Sequence, residues 1–475
     1  MENLKNFYIN GKWVAPLSSD SMPILNPATE EKIGTLPLGN KSDVDRAVSA
    51  AKSAFESFSQ TSKADRLDLL KQVKKLTERR FEDLAQAMLT EMGTPITFSR
   101  DSQADAAIGH LNGFIQALER LEDQTILPSG DILVREPIGV CGLITPWNWP
   151  VNQVVLKVLP ALATGCCCVL KPSEHTPISA MIYAEILHEA GYPAGVFNLV
   201  NGEGAVVGSA MSQHQDIQMM SFTGSTRAGT SVAREAAETV KRVTLELGGK
   251  SPNIVFADCN LEDQIAYSVR ECMSNTGQSC DAPTRLLVEQ TCYDSVLQIA
   301  KSVAEDLKVG DPRDENTEIG PLFDKIQFER VQAMIEVGIN EGCRVLTGGL
   351  GKPDDLDTGW FVKPTIFCDA NNNMRVAREE IFGPVLVIIP FQSETEAIEI
   401  ANDTPYGLAS FLQTGDSERA KRVAKKLNAG SVHLNGAAIE YGTPFGGFKQ
   451  SGNGREGGLM GLEDYLETKS LHGFN

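Results

Sequence analysis

The sequence predicts an α/β protein whose sheets are mostly parallel and covered by helices, and three observations predict it. From Gly139 to Leu247, short apolar runs alternate with stretches of helical periodicity, the signature of repeated strand–helix units. A second alternating block runs from Asn253 to about Leu434. The chain has 475 residues, too many for one hydrophobic core, so the blocks are expected to form separate packed units.

Taken in order, Phe7 to Leu36 reads as short strands and loops, with turn signals at Asn10-Gly11 and Asn26-Pro27. Helical periodicity starts near Ser42, where Val44, Ala47, Val48 and Ala51 share a face, and further amphipathic helices are predicted over 63–80 and 81–92. In the first alternating block, residues 140–144 and 166–170 are unbroken apolar runs, as strands buried on both faces should be. Between them Val151, Val154, Val155, Val158 and Leu159 mark a helix, and Ile178, Met181, Ile182 and Ile186 mark the next. Residues 197–200, 219–222 and 243–245 read as further strands. The second block opens with strands at 253–256 and 285–288 and turns at Gly310-Asp311-Pro312 and Gly348-Gly349. From Gly436 the chain is rich in glycine, which predicts little regular structure and backbone that bends or approaches something closely. No repeat of fixed period, low-complexity tract or long linker is evident.

Composition narrows the function. Hydrophobic residues make up 42% and charged residues 22%, as in ordinary globular proteins. The formal charge of −19 argues against a nucleic-acid backbone or an anionic membrane as partner. The ten cysteines include the run Cys166-Cys167-Cys168 and no C-x-x-C pair, so no metal cage is expected. Unpaired thiols, no apolar signal core near the start and no apolar span of about 20 residues lead to an expected cytoplasmic location.

The sharpest chemical feature is Thr276-Gly277-Gln278-Ser279-Cys280-Asp281-Ala282, a small polar segment between a predicted helix and a strand. A thiol there is more accessible than one in an apolar run, and it is either a nucleophile or an ordinary loop cysteine. Phe222-Thr223-Gly224-Ser225-Thr226 follows a strand and opens a helix. Such a junction can bind phosphate or can be a simple tight turn, and it lacks the G-x-G-x-x-G fingerprint. Glu246 ends an apolar strand, where it is a base or a salt-bridged surface carboxylate. Asn148 follows another strand end, where it is an oxyanion donor or a helix cap.

Together these pieces resemble the aldehyde dehydrogenase superfamily. The resemblance rests on Thr145-Pro146-Trp147-Asn148, Lys171-Pro172-Ser173-Glu174, Phe222-Thr223-Gly224-Ser225-Thr226, Glu246-Leu247-Gly248-Gly249-Lys250, Gly277-Gln278-Ser279-Cys280, Glu380-Ile381-Phe382-Gly383-Pro384 and Pro444-Phe445-Gly446-Gly447, in family order and across nearly the whole chain. The spacing of Glu246 and Cys280 is also the family's.

The resemblance implies a Rossmann-type dinucleotide-binding domain over 1–123 and 140–248, a catalytic α/β domain over 249–448 and a small oligomerisation element over 124–139 and 449–475. It implies oxidation of an aldehyde to a carboxylic acid with NAD, or NADP, through a thioester on Cys280. Asn148 and the Cys280 backbone would hold the oxyanion, and Glu246 would activate the hydrolytic water, with Glu456 in the route of proton release. Lys171 and Glu174 would hold the adenosine ribose, Glu favouring NAD over NADP. Gly224 and Ser225 would meet the pyrophosphate, Glu380 the nicotinamide ribose, Phe382 the ring, and Trp147 the junction with substrate. Trp149, Gln153, Leu156, Ser279, Asp281, Ile439 and Phe445 would surround the aldehyde tail, and Asp281 would disfavour a terminal carboxylate. A homodimer or homotetramer is expected, with a small-molecule aldehyde as substrate and with no metal, nucleic acid or membrane. The alternatives are a CoA-acylating enzyme, which usually lacks the base, and a non-catalytic protein of the same fold.

Overall fold

The computed structural model describes residues 2–474 and contains two large sheets. The first has eight strands. Its five central strands are parallel and lie in the spatial order Arg242–Glu246, Met219–Thr223, Val140–Ile144, Cys167–Lys171, Phe197–Leu199. Val140–Ile144 comes first in the chain. Its successors run outward on one side, and the chain then crosses to Met219–Thr223 on the other side. The reversal between Val140–Ile144 and Met219–Thr223 is a topological switch point. The loops beyond the carboxyl ends of those two strands diverge there, leaving a crevice.

The strands are buried on both faces, and helices Lys41–Phe58, Lys63–Arg79, Asp105–Arg120, Pro150–Thr164 and Pro177–Glu189 supply the covering apolar residues of one large core. Helix Lys41–Phe58 starts from an Asn40–Asp43 capping box, which satisfies first-turn N–H groups that would otherwise be orphaned. Predicted and observed elements agree closely here: the second run starts one residue later, at Cys167, and the third helix spans Phe81–Met92 as expected.

The second sheet has seven strands in the order Arg344–Thr347, Thr365–Cys368, Val385–Phe391, Arg285–Glu289, Pro252–Val255, Ala409–Gln413, Ser431–Leu434, all parallel except the first pair. Alternate residues feed two cores. Leu287 and Ile254 face one, while Leu286, Val288 and Val255 face the other, as the two-residue period of a strand requires. A small antiparallel sheet joins Gln124–Ile126, Ile132–Pro137 and Leu466–Leu471.

The glycine-rich close is more regular than expected. Gly452–Asn453 pairs antiparallel with Arg242–Glu246, and Gly458–Glu463 is a short helix. Leu462 is buried in the first core, and a Cβ on Gly461 would meet the Phe114 ring at 3.5 Å. Small residues let this turn of helix lie flat on helix Asp105–Arg120, and packing overrides the weak local propensity. Among the described residues no helix is long and apolar enough to cross a membrane, and no group of three His, Cys, Asp or Glu could hold a metal.

Candidate active site

The switch-point crevice is an open cleft of about 750 Å³. Pro146, Trp147 and Asn148 line it from one strand end, and Thr223, Gly224 and Ser225 from the other. The second sheet contributes Cys280, Glu380 and Phe382. Trp147 stacks on Phe323 with centroids 3.6 Å apart and meets Phe382 edge-on at 5.4 Å. Phe382 adopts φ +60°, a strained conformation for a large side chain. Gln327 holds it there by donating from Nε2 to the Phe382 carbonyl at 2.7 Å.

Cys280 is presented by a strained turn. Asn275 and Thr276 both have left-handed backbone, as does Gly277, where a Cβ would lie 2.1 Å from the Gly383 carbonyl. Three side chains fix the turn. Asn275 Nδ2 donates to the carbonyls of Asn148 (3.0 Å) and Gln278 (3.2 Å), and Thr276 Oγ1 donates to Gly320 O at 3.2 Å. Gln278 Oε1 accepts from Phe323 N at 3.0 Å. Cys280 stays partly accessible, unlike Cys141 and the Cys166–Cys168 run. Its thiol pKa is pushed well up, first by burial and then by the charges of Asp281, Glu246 and Glu380.

Asn148 does not cap the helix that follows. Helix Pro150–Thr164 starts from Trp149 with no side-chain cap, and Asn148 Nδ2 donates to Gln278 O at 2.9 Å. An amide carries two N–H donors, so the buried side chain is anchored to the Cys280 turn with one donor to spare.

Glu246 is not a surface carboxylate. It is 4% exposed, and neither oxygen has a hydrogen-bond partner. Burial, followed by the neighbouring Glu456, pushes its pKa well up. A Cβ on Gly446 would come within 2.6 Å of Glu246 Oε1, so the glycine leaves room for the carboxylate. Glu456 is buried in an ion pair with Lys157, which is itself fully buried and also bonds Ser221 Oγ at 3.3 Å.

Glu380 accepts from Gly249 N at 3.0 Å, and burial raises its pKa to about 7. Gly248 must lack a side chain, because a Cβ would sit 2.3 Å from Glu380 Oε2. Lys171 Nζ donates to Glu174 at 2.7 Å and to Pro172 O at 3.0 Å. Burial works against the Glu174 charge, but Lys171 outweighs it and holds the carboxyl below its usual range. Ser225 caps helix Thr226–Ala237 by accepting from Ala228 N at 3.3 Å.

Trp149 Nε1 donates to Ser279 Oγ, the neighbour of Cys280, at 2.9 Å and the indole meets Phe98 edge-on. Gln153 is buried with Oε1 unpaired, and burial raises the Asp281 carboxyl. Phe445 is bridged to Glu456 through both backbones at 2.7 Å. Of the other expected tail neighbours, Leu156 is buried against the first core and Ile439 is exposed. Sequence reading missed Phe323, Gln327, Asn275 and Lys157. Only Lys157 left a signal, as a lone cation on the apolar face of its helix.

The aldehyde dehydrogenase family model matches residues 13–471. The chain is 50% identical over 477 residues to a 3-succinoylsemialdehyde-pyridine dehydrogenase from Pseudomonas sp, covering 100% of this chain and 99% of that one. Among solved structures it is similar to a mutant aldehyde dehydrogenase C from Pseudomonas syringae in complex with NAD+ and octanal, with 48% identity, TM-score 0.99 and coverage of 100% and 98%. It is also similar to a betaine aldehyde dehydrogenase from Staphylococcus aureus in complex with NAD+, with 36% identity, TM-score 0.96 and coverage of 98% and 94%. With the family model matched over residues 13–471 and full-length relatives of the same fold, the chain belongs to the aldehyde dehydrogenase family.

Proposed function

We propose that this chain oxidises a neutral aldehyde to its carboxylic acid with NAD, using Cys280 as nucleophile and water as the final acceptor. The observation that carries the reading is Glu246, a buried carboxyl with both oxygens free, close enough to Cys280 to raise its thiol pKa.

The residues fit a nicotinamide dinucleotide. Trp147, Phe323 and Phe382 form an aromatic wall beside Cys280, and Glu380 offers a carboxylate to ribose hydroxyls. The buried Thr223 hydroxyl lacks a partner at the cleft floor, and Gly224 and Ser225 border it at a helix N-terminus. Lys171 and Glu174 would hold the adenosine ribose, and the Glu174 charge disfavours a 2′-phosphate. The chemistry NAD supplies when bound is acceptance of a hydride from the carbon on Cys280.

The protein's own residues do the rest. The Cys280 thiol releases its proton to solvent as its sulfur adds to the aldehyde carbonyl, and the new oxyanion is met by the free Asn148 N–H and the Cys280 backbone N–H. Loss of hydride leaves a thioester on Cys280. Glu246 takes a proton from water as the water oxygen bonds to the thioester carbon. The carbon–sulfur bond then breaks, releasing the acid and regenerating the thiol. Glu456 and Lys157 continue the polar route behind Glu246.

Trp149, Gln153, Ser279, Asp281 and Phe445 surround the aldehyde tail. Asp281 and the lack of an arginine among them select against a terminal carboxylate. Residues 1–123 with 140–248 form the dinucleotide-binding unit and 249–448 the catalytic unit. Residues 124–139 and 449–475 bridge subunits of a homodimer or homotetramer, a role suited to exposed Ile126, Leu459 and Met460. The ten free thiols fit the cytoplasm.

The test is turnover with NAD or NADP, with and without coenzyme A, over neutral aldehydes and carboxylate-bearing semialdehydes of matched length. The reading expects a CoA-independent rate, a preference for NAD and faster neutral aldehydes. Dependence on coenzyme A would reject water as acceptor, and faster semialdehydes would reject the pocket assignment.

A further inference from the structure

Glu91 is a charged residue that the chemistry above does not use. It sits in the last turn of helix Phe81–Met92 and is 1% exposed. Its carboxylate accepts three hydrogen bonds, all from the start of helix Pro177–Glu189. Ile178 N donates at 2.5 Å, Ser179 N at 2.9 Å and Ser179 Oγ at 2.6 Å. That helix has no side-chain cap of its own: Thr176 makes no capping bond, and its hydroxyl is buried without a partner. First-turn N–H groups that are buried need an acceptor. Here a residue from a distant part of the chain provides it, with a negative charge at the positive end of the helix.

The loop entering this helix carries the adenosine-ribose pair. Lys171 ends its strand, Glu174 is bonded to it, and only two residues separate Glu174 from Pro177. The same loop places the His175 ring edge-on to Phe323 at 5.2 Å, and Phe323 stacks on Trp147. Just beyond Glu91, Gly93 packs against Gly320 so closely that a Cβ on Gly320 would lie 2.2 Å from Gly93 O. Gly320 O in turn accepts from Thr276 in the Cys280 turn. The end of helix Phe81–Met92 therefore touches both the helix that the ribose-pair loop enters and the segment that braces the nucleophile.

We propose that Glu91 is a positioning residue for cofactor binding: by capping helix Pro177–Glu189 from outside, it fixes the 171–175 loop in the arrangement that receives the adenosine ribose. Burial raises its carboxyl pKa to about 7 against the pull of its three donors. A carboxyl buried at that cost depends on the bonds it makes. The proposal rests on the reading of Lys171 and Glu174 as ribose ligands.

The experiment measures NADH affinity by fluorescence in Glu91→Gln, Ser179→Ala and Lys171→Ala, together with amide hydrogen exchange at residues 178–180 in the cofactor-free proteins. Glu91→Gln removes the charge and one acceptor at nearly constant shape. It should weaken NADH binding about tenfold, corresponding to about 1.4 kcal/mol, and speed exchange at Ile178 and Ser179. The rate at saturating NAD should stay near that of the unmodified protein. Ser179→Ala removes a single donor and should weaken binding by a smaller factor in the same direction, which keeps the proposal testable should Glu91→Gln fold poorly. Unchanged affinity in both variants, with Lys171→Ala weakened, would overturn the role of Glu91 and leave the cofactor reading intact. Unchanged affinity in Lys171→Ala would remove the reading of the loop itself, and the proposal with it.

Discussion

Replacing Glu246 by Gln separates the two halves of the reaction. Neither Glu246 oxygen is hydrogen-bonded, so the substitution breaks no bond within the protein and lifts a repulsion with Glu456. The fold should tolerate it. The loss falls on hydrolysis, where a positioned general base is worth about 10²–10⁴-fold. A steady-state rate lowered about 10³-fold corresponds to about 4 kcal/mol of barrier. Thioester formation precedes the step that needs the base, so the first turnover survives. Stopped-flow absorbance should show a burst of about one NADH per subunit followed by a slow phase. Mass spectrometry should find the acyl group on Cys280. The pH dependence follows from the direction of the shift. Burial and Glu456 raise the Glu246 pKa, and the base works only when ionised. Unmodified enzyme should therefore speed up as pH rises through that raised value, and Glu246→Gln should lack the rise. A variant that turns over at the normal rate, or that loses the burst along with turnover, would refute the assignment of Glu246 to hydrolysis.

Three further perturbations follow from the same geometry. Asn148→Ala should lower kcat/KM by about 10²–10³-fold while leaving the alkylation rate of Cys280 by iodoacetamide unchanged; a parallel fall in alkylation would mean that the turn itself had moved. In the cofactor-free protein that alkylation should rise about tenfold per pH unit above neutrality, because the thiol pKa is raised and the thiolate reacts. Asp281→Asn should speed it only about threefold, since burial is the larger cause. Lys157→Met leaves Glu456 buried without its ion pair and should cost about 3–5 kcal/mol in urea unfolding; an unchanged midpoint would show that the pair contributes little.

Much of the architecture is legible in the sequence because local and global signals agree. The run around Val169 is apolar at every position and can only be a strand buried on both faces, and the Val151–Leu159 stripe can only be a helix against it. The motif residues flanking strand ends were equally readable. Five things were not. The switch point depends on which strands neighbour one another, and periodicity carries no information about lateral order. The choice between helix cap and turn anchor for Asn148 was open, because it depends on Gln278, far away in the chain. The same holds for Phe323, which lies in a loop without periodicity and matters only because Trp147 stacks on it. The tail from Gly436 looked irregular because glycine disfavours helix locally, yet contact with helix Asp105–Arg120 outweighs that preference. Glu91 could not be distinguished from any acidic residue on an amphipathic helix until its partners at Ile178 and Ser179 were placed.

The most direct test of the central claim is NADH formation from an aldehyde panel by unmodified protein and by Cys280→Ala in parallel, with NADH affinity measured in both. The account predicts turnover in the first, none in the second and equal cofactor binding in the two. Turnover by Cys280→Ala would contradict it, because the chemistry would then run through another nucleophile.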